Sequence, residues 1–512
     1  MNRCLQYAII ALLISTLFSC REDFEYAPLS SDLVFSRDTV YLDTVFSNIG
    51  SSTYSLKVYN TTDEAVNIPE ILLESNNDSK YRINVNGSPG KAFTNVPLAK
   101  GDSLYIFIET TLNIEDLSAE ASEFLYTDNL LFRSGSREQK VALVTLVKDA
   151  VFMYPKRNNG IKESIEIGLD ENGEPVRIEG FELSDEELHF TSDRPYVIYG
   201  YAAVPEGKTL AIDPGSRVHF HEGSGIYVMP GGKLEINGAL SDDQESMENE
   251  VIFEGDRLEP EFARVPGQWG TIWIATGSND NTINHLTIKN AIAGIIAEGR
   301  ITDKPTLNIS NSKILNSGNM SLLSRDAWIN AENSIFGNAG LISVYCTQGG
   351  FYRFLHCTIA NYWDAGFRAT PALLIDNYIT TIDGSLTGSD LVMADFSNCI
   401  IYGNKNREFI LDRYANAEFN FNFDHSLLHF EDLTGAFEDI PDYDFSNTEL
   451  YNTVTLNTDP LFRDPFIELF MIEDGSGAID IGNVEKAQHL PDDLSGRSRL
   501  PLPDAGALEY QP

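Results

Sequence analysis

Residues 204–240 constrain the fold more than any other stretch. They contain VPEGKTLAIDPGSRVHF followed by HEGSGIYVMPGGKLEING, and a shift of sixteen lays the line on itself. Leu210 falls on Ile226, Ile212 on Val228, Pro214-Gly215 on Pro230-Gly231, Val218 on Leu234 and Phe220 on Ile236. Each unit reads as two short strands joined by a Pro-Gly corner. Alternation sends Leu210, Ile212, Val218 and Phe220 to one face, and Ala211, Arg217 and His219 to the other. One such unit cannot bury its apolar face alone. Copies stacked in parallel share a continuous core, which makes a solenoid.

A looser column continues downstream, in the order small residue, apolar residue, then usually Asn. It runs Leu286-Ile288-Asn290, Ser312-Ile314-Asn316, Ser334-Phe336-Asn338, Cys357-Ile359-Asn361, Cys399-Ile401-Gly403 and Ser426-Leu428-Phe430. The Asn steps are 26, 22 and 23 residues, and the gap to Gly403 reads as about two coils. Unequal steps with a fixed strand phase mean variable loops on a constant β core. With these motifs the chain resembles the right-handed parallel β-helix (pectate-lyase-like) superfamily, which implies a solenoid of roughly a dozen coils.

The N-terminus carries a different message. Arg3 and the apolar run from Leu5 to Phe18 form a signal peptide, residues 1–19, too short for a spanning helix. Leu17-Phe18-Ser19-Cys20 resembles the bacterial lipobox. That resemblance implies cleavage before Cys20 and acylation of its thiol, so the expected partner is outer-membrane lipid. Two or three acyl chains anchor stably where one does not. Arg21-Glu22-Asp23 resembles the surface-export signal of Bacteroidota lipoproteins, which implies display at the cell surface. Residues 20–30 then serve as a lipidated tether.

Residues 31–150 read as a separate β-sandwich of about seven strands. Thr39–Leu42, Ser55–Tyr59, Ser103–Ile108 and Val141–Val147 are strands, with turns at Asn60-Thr61-Thr62-Asp63, Asn86-Gly87 and Lys100-Gly101-Asp102. The strand pattern resembles the immunoglobulin-like modules grouped with ASPM–SPD-2–Hydin domains, which serve as spacers or protein contacts. Residues 151–193 read as a junction and N-terminal cap, with Phe181–Phe190 over the open end. The solenoid follows over 194–512, finished by a closing segment at 456–512. Asp459-Pro460-Leu461-Phe462, Ser476-Gly477-Ala478-Ile479-Asp480-Ile481-Gly482, Asp493-Leu494-Ser495-Gly496-Arg497 and Asp504-Ala505-Gly506-Ala507-Leu508-Glu509-Tyr510 closely resemble the terminal segment of secreted bacterial β-helix proteins. That resemblance implies that the segment finishes the last coil and covers its edge, with structural Asp and Arg residues. The fold class is therefore all-β, an Ig-like β-sandwich followed by a right-handed parallel β-helix.

Net charge is −40, from 36 basic and 76 acidic residues, which argues against nucleic acid as a partner. Cys346, Cys357 and Cys399 remain once Cys20 is acylated, and three thiols cannot all pair. Cys357 and Cys399 share the column of Ser312, Ser334 and Ser426, which marks them as small core rungs. Polysaccharide lyases on this fold use calcium-binding carboxylates and an Arg or Lys base, but their Trp-Ile-Asp-His and Arg-x-Pro-x-x-Arg runs are missing. Asn457-Thr458-Asp459 matches one polygalacturonase motif, yet it lies in the closing segment and no Gly-His-Gly follows. His219 and His221 share a strand face without a third metal ligand. No catalytic residue, metal site or cofactor is evident, and calcium enters only with the lyase alternative.

What remains is a candidate ligand face. Asp364 lies three residues past Asn361 and Arg407 about three past Asn404, so the two-coil reading sets them at one longitude, about 10 Å apart. Trp363 and Arg368 are close by in sequence, and Trp269 and Trp273 add aromatic platforms. These six residues suit a polysaccharide. The expected function is glycan or partner binding by an envelope lipoprotein, with a polysaccharide lyase or hydrolase as first alternative and a structural stalk as second. Fold cannot choose among them.

Overall fold

The computed structural model describes residues 26–29, 31–116, 123–170, 172–300, 302–381 and 384–511. It divides into two compact units between Asp149 and Ala150. Residues 1–19 and Cys20 lie outside the described residues.

The first unit is a β-sandwich. One sheet includes Thr39–Phe46, Val66–Leu73, Glu123–Ser134 and Arg137–Lys148; the other includes Tyr54–Tyr59, Tyr81–Val85 and Ser103–Thr110. Alternation explains it. Leu104, Ile106 and Ile108 point into the core while Tyr105 and Phe107 stay exposed on the other face. Asn86 and Gly87 both take positive φ, 49° and 82°, the geometry of a type I′ hairpin turn.

The second unit is a parallel β-helix of three sheets, called here the first, second and third. Among the described residues they hold eleven, ten and ten strands. One coil shows the plan. Thr209–Ile212 lies in the third sheet, Arg217–Phe220 in the first, Gly225–Val228 in the second, and Lys233–Asn237 returns to the third. Leu210 pairs with Leu234, so this coil is 24 residues long and contains three strands, not two. The shift of sixteen therefore matched strands of different sheets. All three sheets carry the same inward alternation at a spacing of eight, so self-similarity alone cannot tell eight, sixteen and twenty-four apart. Gly215 and Gly231, at φ 78° and 76°, supply the positive φ that the Pro-Gly corners require.

The inward faces are as expected: Leu210, Ile212, Val218 and Phe220 are fully buried. The first sheet stacks Val218, Phe253, Ile288, Ile314, Phe336, Ile359, Ile401 and Leu428 in strict register. Each such side chain contributes about 1.5–3 kcal/mol by burial. Corners are held by left-handed residues. Asn290, Asn316 and Asn338 have φ of 62°, 54° and 46°, conformations that Asn tolerates better than most residues. A second corner column is formed by His285, Asn311, Asn333, His356, Asn398 and His425. Asn side chains bridge rungs, as where Asn316 Nδ2 donates to Asn290 Oδ1 at 2.7 Å. Cys357 and Cys399 occupy the small-residue rung beside Ser312 and Ser334, and all three described thiols are free and buried.

Three details differ from the sequence reading. Ile359 pairs directly with Ile401, so the 42-residue step is one coil carrying an inserted hairpin, Tyr378–Thr380 with Leu386–Gly388. The first rungs lie at Val151–Met153, Pro175–Glu182 and His189–Phe190, inside the stretch read as a junction. The closing segment does not cover an open edge. Past Leu456 it turns back along the outer face of the first sheet, burying Phe470, Leu494, Ala505 and Ala507 against Ile335, Ala360, Ile400 and Leu427. The last rungs are covered instead by Phe437, Tyr443 and Phe445, whose rings pack on Phe409, Phe430 and Tyr451. Within the closing segment Asp493 accepts from the amides of Ser495, Arg497 and Glu509, and the buried guanidinium is Arg499, paired with Glu509.

Candidate functional site

The six sequence candidates do not form one site. Trp269 is fully buried, stacked on Phe220 at 4.3 Å, with Nε1 donating to Lys289 O at 2.9 Å. It is a core residue and cannot offer a face to a ligand. Trp273 points out of the second sheet but packs edge-on against Tyr227 at 5.5 Å, in an apolar cluster with Ile165 and Ile178. Arg368 is also buried. Its Nη1 donates to Glu408 Oε2 at 2.8 Å, and its Nη2 to Glu408 Oε1 at 2.7 Å, Asn361 O at 2.8 Å and Asn404 Oδ1 at 2.8 Å. Buried and tied to the next coil by these bonds, this guanidinium is a structural clamp. Burial lifts the Glu408 carboxyl above its ordinary range, and Arg368 is the strongest influence pulling it back.

Trp363 is half-buried, Asp364 is exposed, and Arg407 is half-exposed. Asn361 pairs with Gly403, so the segments bearing Asp364 and Arg407 leave adjacent rungs, one coil apart and not two. Arg407 turns toward Asp432, at 4.0 Å, and lies over the Phe437 ring at 4.8 Å. Surface ion pairs of this kind contribute little.

A better site lies on the outer face of the third sheet. Asn308, Asn330, Arg353, Asp395 and Asn422 are register partners on five successive rungs. Parallel rungs repeat at about 4.8 Å, so these side chains form a ladder of amides and charges. Asn330 Nδ2 donates to Asn308 Oδ1 at 2.8 Å, and Trp328 Nε1 to Asn330 Oδ1 at 3.1 Å. Trp328 and Phe351, half-buried, flank the ladder edge to face at 5.2 Å. The neighbouring row carries Glu332 and Ser397. The short helix Val484–Ala487 forms the opposite wall, and the groove between has a volume of about 380 Å³.

The groove has an ordered charge pattern. Lys486 pairs with Asp424 at 2.9 Å and approaches Asp395 at 3.9 Å. Burial would raise the Asp424 carboxyl, but His425 and Lys486 outweigh it and hold it below the ordinary range. Arg353 is exposed, touches the Phe351 ring at 5.0 Å, and has no carboxylate within ion-pair distance among the described residues. It is thus a cation available to a ligand. The two guanidinia whose pKa burial pushes down, Arg217 and Arg499, lie elsewhere, tied to backbone carbonyls and to Glu509. Among the described residues no group of three His, Cys, Asp or Glu side chains is placed to hold a metal ion. A larger cavity of about 710 Å³ lies on the first sheet; Asn290 and Asn316 line it, but its walls are mainly apolar, which suits a sugar's hydroxyl groups less well.

The ladder is legible in the sequence as an offset of the Asn column. Each member stands eight residues before a member of the Asn column: 308 before 316, 330 before 338, 353 before 361, 395 before 403 and 422 before 430. Eight residues is one strand and corner, so subtracting it moves the column from the first sheet to the third.

No family model matches the chain, and no curated protein matches it. Among solved structures, one similarity is to a family 123 glycoside hydrolase from Clostridium perfringens, described for glycolipid glycan hydrolysis. It has 9% identity and a TM-score of 0.16, over 23% of this chain and 26% of that one. The chain thus spans about a quarter of that protein's length, and the likeness carries no argument.

Proposed function

We propose that this chain is a lipid-anchored envelope protein whose β-helix binds an acidic glycan along the outer face of the third sheet. The observation that carries this reading is the in-register ladder Asn308-Asn330-Arg353-Asp395 beside Trp328 and Phe351. Neutral amides pair with hydroxyl groups, an aromatic edge covers the apolar face of a sugar ring, and Arg353 takes a carboxylate. The right-handed, pectate-lyase-like and Bacteroidota affinities implied by the sequence belong to the same reading, as does the immunoglobulin-like character of the first unit.

The test is titration of the full chain with oligogalacturonate, oligomeric alginate and a neutral cello-oligosaccharide, read by heat and by product release. Arg353→Ala is expected to weaken the acidic ligand about tenfold and leave the melting temperature unchanged, because Arg353 is exposed. Equal binding by parent and variant contradicts the site. Product release by the parent that disappears in Asp395→Asn would move the reading to a hydrolase or lyase.

The anchor has its own test. Cys20→Ala is expected to abolish labelling by a fatty-acid analogue, whereas Cys4→Ala, within the signal segment, leaves it intact. Labelling of the Cys20 variant at the parent level contradicts the lipoprotein reading.

A further inference from the structure

The 710 Å³ cavity on the first sheet has a chemistry of its own. Its floor is two outward rows, Thr287-Lys313-Ile335 and Lys289-Leu315-Gly337. The closing segment starts to cover the sheet at the Gly337 rung, where a Cβ would meet Phe470 Cε2 at 2.5 Å. One rung earlier the sheet is open, so Leu315 and Lys313 become the floor of a cavity. Leu469, Phe470, Leu494 and Leu508 of the closing segment line one side, and Arg264 and Met247 another.

The charge is opposite to that of the molecule. In a chain of net charge −40, the charged residues lining this cavity are Arg264, Lys289, Lys313 and Arg497 against Glu468 alone. Two of the cations are already paired: Arg264 with Glu468 at 3.4 Å, and Lys313 with the buried Glu250 at 3.3 Å. Lys289 and Arg497 have no carboxylate within ion-pair distance among the described residues. The nearby acidic loop makes no ion pair with either of them among the described residues. Its Asp243 and Glu248 accept from the amides of Glu245 and Asp242 in the same loop. An apolar chamber of this size suits a small organic molecule, and two unpaired cations at its edge favour a negative charge.

We propose that this cavity is a binding site for an amphipathic organic anion, an aliphatic or aromatic carboxylate whose body lies on Leu315 and Phe470 and whose charge meets Lys289 and Arg497. It is separate from the glycan ladder, being on a different sheet, and does not depend on it. The probes are decanoate and decanol, titrated into the full chain below micelle-forming concentration. Decanoate is expected to bind at least about tenfold more tightly than decanol. The Lys289→Gln, Arg497→Gln double variant should bind decanoate no better than decanol. Arg497→Lys, which keeps the charge, should stay within about threefold of the parent. Equal binding of the two probes by the parent overturns the proposal, as does binding of neither. A double variant that keeps the parent's decanoate affinity, with an unchanged melting curve, overturns it too.

Discussion

Replacing Arg368 by methionine is expected to destabilise the β-helix by about 3–5 kcal/mol, because it strands a buried carboxylate. Both partners of the pair are almost wholly enclosed, at 1% and 0% side-chain exposure. Glu408 also accepts from the amides of Lys405 and Ala372, at 2.7 and 2.8 Å. The guanidinium therefore joins the departing segment 363–370 to the next coil. The cost should depend on pH. Without Arg368, the folded Glu408 pKa rises further above its unfolded value, so the folded state holds a proton that the unfolded state releases. Stability is then retained at low pH and lost as pH rises. Arg368→Met should thus cost more at pH 8 than at pH 5. Glu408→Gln, which leaves a guanidinium charged throughout, should cost a similar amount at both. Replacing both partners by apolar residues should recover much of the loss. Urea unfolding at the two pH values measures all of this, and a loss below about 1 kcal/mol in both single variants would mean the pair is open to water.

Changing Ile314, Phe336 or Ile359 to Asp should be still more damaging. These residues are fully buried and stack on one another, so each change removes a core side chain and inserts an unpaired charge. The expected cost exceeds about 5 kcal/mol and should unfold part of the solenoid. Lys313, whose side chain faces outward, should lose less on change to Ala, although Glu250 is then left with Thr287 Oγ1 as its side-chain donor. Thr358 neighbours Ile359, and alternation alone would turn it outward, to a position tolerant of change. It is buried under the closing segment and its Oγ1 accepts from the Ala507 amide at 3.0 Å, so Thr358→Asp should also be costly. Limited proteolysis and thermal melting distinguish these outcomes. Similar melts for Ile314→Asp and Lys313→Ala would mean that the coil phase is wrong.

Much of the fold was legible because β-strand alternation and left-handed Asn corners are local signals. Ile314, Phe336 and Ile359 could be placed from the column alone. The coil length could not, since three sheets with the same inward pattern repeat every eight residues, and a hairpin insertion at 378–388 looked like an extra coil. The site failed for a related reason. Charge and proximity in sequence singled out Arg368, but its partner Glu408 lies forty residues away, so its burial was invisible. Trp269 looked like a platform because it stands before the strand Ile272–Ile274, at an isolated bridge to Ala291, where strand alternation does not assign a face. The ladder of Asn308 to Asn422 needs no long-range information beyond the column itself, shifted by one strand.

Hydrogen exchange of the full chain, with and without saturating oligogalacturonate, tests the central claim most directly. The ladder reading predicts added protection in Trp328–Glu332, Gly350–Leu355 and Leu391–Ser397, which are adjacent in the third sheet though separate in sequence. Protection confined to residues 363–370 and 404–407, or to the first unit, would contradict it.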